Sequence, residues 1–192
     1  MERQAWILVA LILVSGLVLT GCEQETIQQF QSDRVAVAGG ADPPTDSFWA
    51  EVSFCRKIGR KTGKRIGCGD KFFPEQKSYV HGLVDFSGLV PGEVYAVHLV
   101  WLKPNGKEIF RRYAEIFLEA GDQGYTTHIA WKKAEDLGYL KEEVQERATP
   151  GCSLGSRLNI STSRNRELGR YAFKVYWNRE LLVQRSFLIA ET

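Results

Sequence analysis

The sequence predicts a mainly β fold, an antiparallel β-sandwich with one short helical insert. Three observations carry that prediction. Apolar residues recur mostly at every second position, the period of a half-buried strand, and at least seven short segments between residues 78 and 190 read as strands. Glycine, proline and asparagine clusters separate those segments at short intervals. Residues 48–192, with an overall hydrophobic content of 44% and charged content of 25%, are long enough to enclose one core.

The elements follow in order. Ser78–Phe86 and Val94–Leu102 read as strands joined by Gly88-Leu89-Val90-Pro91-Gly92. In the second, Tyr95, Val97, Leu99 and Trp101 share a face. Lys103-Pro104-Asn105-Gly106-Lys107 is a turn by composition, and Ile109–Leu118 is the next strand. Tyr125–Trp131 follows, with Tyr125, Thr127, Ile129 and Trp131 on one side. Across residues 132–149 the spacing changes to Leu137, Leu140, Val144 and Ala148, which predicts a helix stopped by Pro150-Gly151. Arg157–Thr162 is again strand-like. Gly169–Trp177 then puts Tyr171, Phe173, Val175 and Trp177 on one face, Asn178-Arg179-Glu180 turns, and Leu181–Ala190 returns with Phe187 and Ile189 inward.

This layout resembles bacterial immunoglobulin-like or fibronectin type III-like domains, through the central-strand Trp101, the Pro-x-Gly turn at Pro104–Gly106 and the Gly-x-Tyr-x-Phe strand at Gly169. The resemblance implies an immunoglobulin-like sandwich over residues 48–192. The helical insert departs from it.

Ahead of the domain, Ala5–Leu19 is an apolar run behind a short segment carrying Glu2 and Arg3, the form of a secretory signal. Leu19-Thr20-Gly21-Cys22 resembles the lipobox of bacterial lipoproteins, which implies cleavage before Cys22 and diacylglyceryl transfer to its sulfur. Residues 1–21 are then a signal peptide. The competing expectation is an uncleaved anchor, because Ala5–Cys22 has no charge and approaches the lower length limit of a spanning helix. Either way the domain is delivered outside the cytoplasm, to the bacterial envelope. Glu23 stands where the family's inner-membrane retention signal would have aspartate, which tilts the expectation to the outer membrane. Residues 22–47, rich in Gln, Gly, Pro and Asp, read as a flexible tether with a reach of roughly 25–30 Å. Phe30, Val35 and Val37 mark where part of it could dock as a strand instead.

The second distinctive segment runs from Cys55 to Cys68. Arg56, Lys57, Arg60, Lys61, Lys64 and Arg65 lie between the cysteines with no acidic residue. In an oxidising compartment a Cys55–Cys68 bridge would close this loop and stabilise it by on the order of 3 kcal/mol. Of four cysteines, Cys22 is assigned to lipid, which leaves three; Cys152 is the candidate odd thiol, with its pairing to Cys55 or Cys68 as the open alternative. The six cations are candidate contacts for an anionic partner: lipid head groups, acidic wall polymers or an acidic protein face. A solvated hairpin tip, or pairing with the acidic tether, would also account for them.

Catalytic motifs fare less well. Gly59–Arg65 ends like a phosphate loop, but the glycine spacing is short and Arg65 stands where Ser or Thr must hold magnesium. Gly151-Cys152-Ser153-Leu154-Gly155 matches a nucleophile elbow by letter, yet no histidine follows it. His81, His98 and His128 all fall within predicted strands and would ligate a metal only if those strands converge. No cofactor is expected. A formal net charge of +2 gives no field for nucleic acid.

The sequence therefore leads to a non-enzymatic, lipid-anchored envelope protein that binds or scaffolds another envelope component. Two alternatives stand beside it. One is an envelope enzyme with a histidine-lined site. The other is an accessory subunit, whose sign would be an exposed apolar patch on residues 132–149.

Overall fold

The computed structural model describes residues 35–36, 48–74, 78–134, 138–165 and 167–191. Among these the chain forms β1 Val35–Ala36, β2 Trp49–Ile58, β3 Arg65–Cys68, β4 Lys71–Phe72, β5 Tyr79–Ser87, β6 Val94–Leu102, β7 Glu108–Gly121, β8 Gly124–Lys132, β9 Tyr139–Arg147, β10 Gly151–Asn159, β11 Gly169–Trp177 and β12 Glu180–Ile189. One 3-10 turn, Ser163–Asn165, joins β10 to β11.

The strands build two sheets. One has the order β1-β2-β5-β10 with β3 added to β2; the other runs β4-β12-β11-β6-β7-β8-β9. Among the described strands only β4 and β12 pair in parallel. Five consecutive strands of the larger sheet, β12-β11-β6-β7-β8, and β2-β5-β10 of the smaller one form the two layers of a sandwich.

Alternation dictates the core. Val52 and Phe54 of β2, Val84 and Phe86 of β5 and Leu154 and Leu158 of β10 face Val97, Leu99 and Trp101 of β6 and Tyr171, Phe173 and Val175 of β11. At the centre the Trp101 ring lies 4.6 Å from Phe173 and 5.7 Å from Phe187, centroid to centroid. Its Nε1 donates to Ser156 Oγ at 2.9 Å, a buried bond from one sheet to the other. Antibody domains pin their two sheets by a disulfide packed against a buried tryptophan of their own. Here Gly82 and Phe173 meet beside Trp101 instead: a β-carbon on Gly82 would stand 3.3 Å from Phe173 and 3.0 Å from Trp101. Tyr171, two residues before Phe173, donates its hydroxyl to the Asn165 carbonyl at 3.2 Å and ties the β10–β11 corner.

The helix expected over residues 132–149 is not formed. Tyr139–Arg147 is β9, paired antiparallel with β8 from Tyr125↔Arg147 to Lys132↔Tyr139. A strand here satisfies the open backbone edge of β8, which a helix would leave exposed. As an edge strand β9 needs no strict apolar alternation, so Leu140 and Val144 do not report a helical face. Both are exposed, at 55% and 56%. Leu137 lies outside the described residues.

Candidate anion-binding hairpin

The hairpin begins where β2 outruns β5. Register partners from Trp49↔Ser87 to Cys55↔His81 join β2 to β5, and beyond Cys55 the strand turns its opposite edge to β3 through Lys57↔Ile66 and Ile58↔Arg65. Cys55 and Cys68 are direct register partners and form a disulfide. At the tip Gly59 N–H donates to the Lys64 carbonyl at 2.9 Å and Gly63 N–H to the Gly59 carbonyl at 2.8 Å. Gly67 adopts φ +62°, and the Arg56 stem crosses it 3.2 Å from where a β-carbon would sit. A side chain there would meet both strain and that stem.

The six cations do not serve alike. Arg65 reaches across the outer face of the smaller sheet, giving Nη2 to Asp85 Oδ1 at 2.6 Å and Nη1 to Ser53 Oγ at 3.2 Å. Ser153 Oγ donates to the same Asp85 oxygen, and Arg147 Nη2 donates to Ser153 Oγ at 2.6 Å. Burial pushes the Asp85 carboxyl up, but hydrogen bonds from Arg65 and Ser153 and the charges of Arg65 and Arg147 outweigh it and hold it below its ordinary value. Arg65 is thus committed to fixing the hairpin on the sheet. Arg56 lies 5.8 Å from the Phe73 ring centre. Lys57, Arg60, Lys61 and Lys64 are exposed or at the rim of the turn, and no ion pair joins them to another described residue. Ile66, 44% exposed, adds an apolar side chain beside them.

The remaining candidates separate. Cys152 is a free, buried thiol, and burial pushes it up to about 12, which keeps it protonated and unreactive. Ser153 sits within β10, not on a strand-to-helix turn, and its hydroxyl belongs to the Asp85 network. The three histidines do lie in strands, but they do not converge. His81 shares the outer face of the smaller sheet with Asp85, and burial, then Arg157, holds it below its usual value. His98 lies on the outer face of the larger sheet, 4.6 Å from the Tyr113 ring centre. His128 stands farther along that sheet, its Nδ1 3.2 Å from Glu142 and its Nε2 3.5 Å from Glu119. Among the described residues no three His, Cys, Asp or Glu side chains are grouped to hold a metal ion.

The Asp85–Ser153–Arg65–Arg147 cluster escaped sequence reasoning. Its only signal was Asp85, a lone carboxylate at an outward position of an otherwise apolar strand. Ser153 and Arg147 carried none, because they meet Asp85 only through the packing of β9 and β10.

Cys22 and the apolar run before it lie outside the described residues. Within the tether, Val35 and Ala36 pair antiparallel with Ala50 and Trp49. Among the described residues no helix is long and apolar enough to cross a membrane. Comparison with known protein families and with curated protein sequences finds no match to this chain.

Proposed function

We propose that this chain is a non-enzymatic, lipid-anchored protein of the bacterial cell envelope that binds an anionic envelope component through its β2–β3 hairpin, with Cys22 carrying the lipid. The observation that carries this reading is the separation of roles among the cations. Arg65 and the Cys55–Cys68 bridge hold the hairpin in place, so Lys57, Arg60, Lys61 and Lys64 stand presented without carboxylate partners among the described residues. A pre-ordered group of like charges meets an anionic surface without first losing its own freedom. Each such residue contributes about 1 kcal/mol near an anionic bilayer. Exposed Ile66 favours lipid head groups over a fully hydrated polymer.

The test uses the chain from residue 22 with Cys22→Ser, which lacks acyl chains. It should sediment with phosphatidylglycerol vesicles at low salt and release as salt rises, and Arg60→Glu/Lys61→Glu/Lys64→Glu should abolish that binding. Equal binding by both chains would reject the hairpin as the contact. In cells, Cys22→Ala should eliminate acyl labelling and leave an unprocessed precursor. Unchanged size and membrane partition would reject the anchor.

A second reading, an accessory subunit of an envelope assembly, is favoured by the exposure of Tyr139, Leu140 and Val144 on β9, at 67%, 55% and 56%.

A further inference from the structure

The larger sheet ends at β9, which pairs with β8 and with no further strand among the described residues. Among the described residues its outer backbone edge is open to another strand, the kind of edge that proteins usually blunt. The β9 residues do carry charge: Lys141, Glu142, Glu143, Glu146 and Arg147. Their order, however, is self-complementary in one register.

A two-fold axis normal to the sheet and passing through a given residue sets that residue against itself and its neighbours against each other, since directly opposed side chains in antiparallel strands share a face. With the axis at Glu142, Lys141 of each copy faces Glu143 of the other, and Leu140 faces Val144. With the axis at Glu143, Leu140 faces Glu146 and Glu142 faces Val144. At Lys141, Leu140 faces Glu142. At Val144, Glu142 faces Glu146 and Lys141 faces Arg147. Only the Glu142 register joins apolar to apolar and unlike charge to unlike charge.

The surroundings fit that register. Lys141 and Glu143 are already ion-paired within one copy, so the second copy completes an alternating group of four charges. Leu140 lines a depression of about 410 Å³ together with Ala130, Tyr139, Lys141 and Glu142, which gives Val144 of the second copy a recess to enter. The one like-charge contact falls on the axis, and there each Glu142 has His128 Nδ1 at 3.2 Å.

We infer that two copies of this chain associate edge to edge through β9, antiparallel and centred on Glu142, joining their larger sheets into one. This goes beyond the proposed hairpin function and does not depend on it.

The experiment is sedimentation of the full chain in detergent over a range of concentrations. A monomer–dimer equilibrium is expected. Lys141→Glu or Glu143→Lys alone should weaken it by about tenfold, because two symmetry-related pairs turn repulsive at once. The double swap Lys141→Glu/Glu143→Lys should restore it. Independently, Glu142→Cys should give an oxidised dimer above the background of the unsubstituted chain, and Val144→Cys should not. A monomer at every concentration, a dimer indifferent to both single reversals, growth beyond two copies, or cross-linking at Val144→Cys instead of Glu142→Cys would each overturn the inference.

Discussion

Gly82 lies directly beneath the indole of Trp101: a β-carbon at Gly82 would stand 3.0 Å from Cζ2 and 3.1 Å from Cη2. The indole cannot retreat. It is fully buried, Phe173 packs on it, and its N–H is bound to Ser156 in the facing sheet. The absence of a side chain on β5 is what allows the largest side chain of β6 to occupy the space between the sheets at this level.

Gly82→Ala should therefore destabilise the domain by about 2 kcal/mol, the range of overpacking a filled core. Chemical denaturation monitored by tryptophan fluorescence measures it. A loss below about 0.5 kcal/mol, the level of an ordinary surface change, would mean that the ring has room to move.

Removing the Cys55–Cys68 bridge should act differently. Cys55→Ser/Cys68→Ser should cost up to about 3 kcal/mol of stability through the closed loop, yet leave the near-ultraviolet spectrum of the core unchanged. The hairpin, not the sandwich, should become open to limited proteolysis at Arg60 and Lys61. Loss of the core spectrum would show that the bridge also supports the packing of the sheets.

Acid should weaken the fold from two groups acting in the same direction. The folded-state value of Asp85 lies below its unfolded one, so its contribution is complete above the unfolded carboxylate value of about 3.9 and is lost as pH falls through the folded value. The folded value of His81 is also lowered, so below about 6.5 the unfolded chain takes up the proton first and stability declines. Asp85→Asn should remove the lower limb of this profile and cost about 1 kcal/mol at neutral pH, a modest figure because the Arg65 side chain is 37% exposed. Urea midpoints at pH 7, 5 and 3 test this. An unaltered acid slope in the variant would assign the effect to other groups.

The sandwich was legible in the sequence because its signals are local. Alternation in Tyr171–Trp177, Tyr95–Trp101 and Tyr125–Trp131 revealed both strand and inward face, since those faces are buried except at the partly buried ends Tyr95, Tyr125 and Trp177. The Cys55–Cys68 bridge was legible through compartment and spacing, whereas the β2–β3 strands it joins were not. Residues 132–149 misled because the half-buried face of β9 is made of polar Glu143, Gln145 and Arg147, so its alternation is not an apolar one. The function of Arg65 was hidden for a different reason. Its carboxylate partner is 20 residues away on β5, and nothing in a run of cations tells which one folds back onto the sheet.

One small arrangement governs what this sheet pair can become. Beside β9, the Gln145 side chain gives Nε2 to the Ser153 carbonyl at 2.7 Å and takes the Ser153 N–H on Oε1 at 2.9 Å. A side-chain amide thereby imitates one rung of a neighbouring strand and stoppers the exposed margin of β10. At the far margin of the larger sheet, two-residue β4 shields β12. These contacts cover one rung of β10 and the Leu188–Ile189 end of β12. A two-fold contact at β9 uses the same edge on both copies and so closes at two.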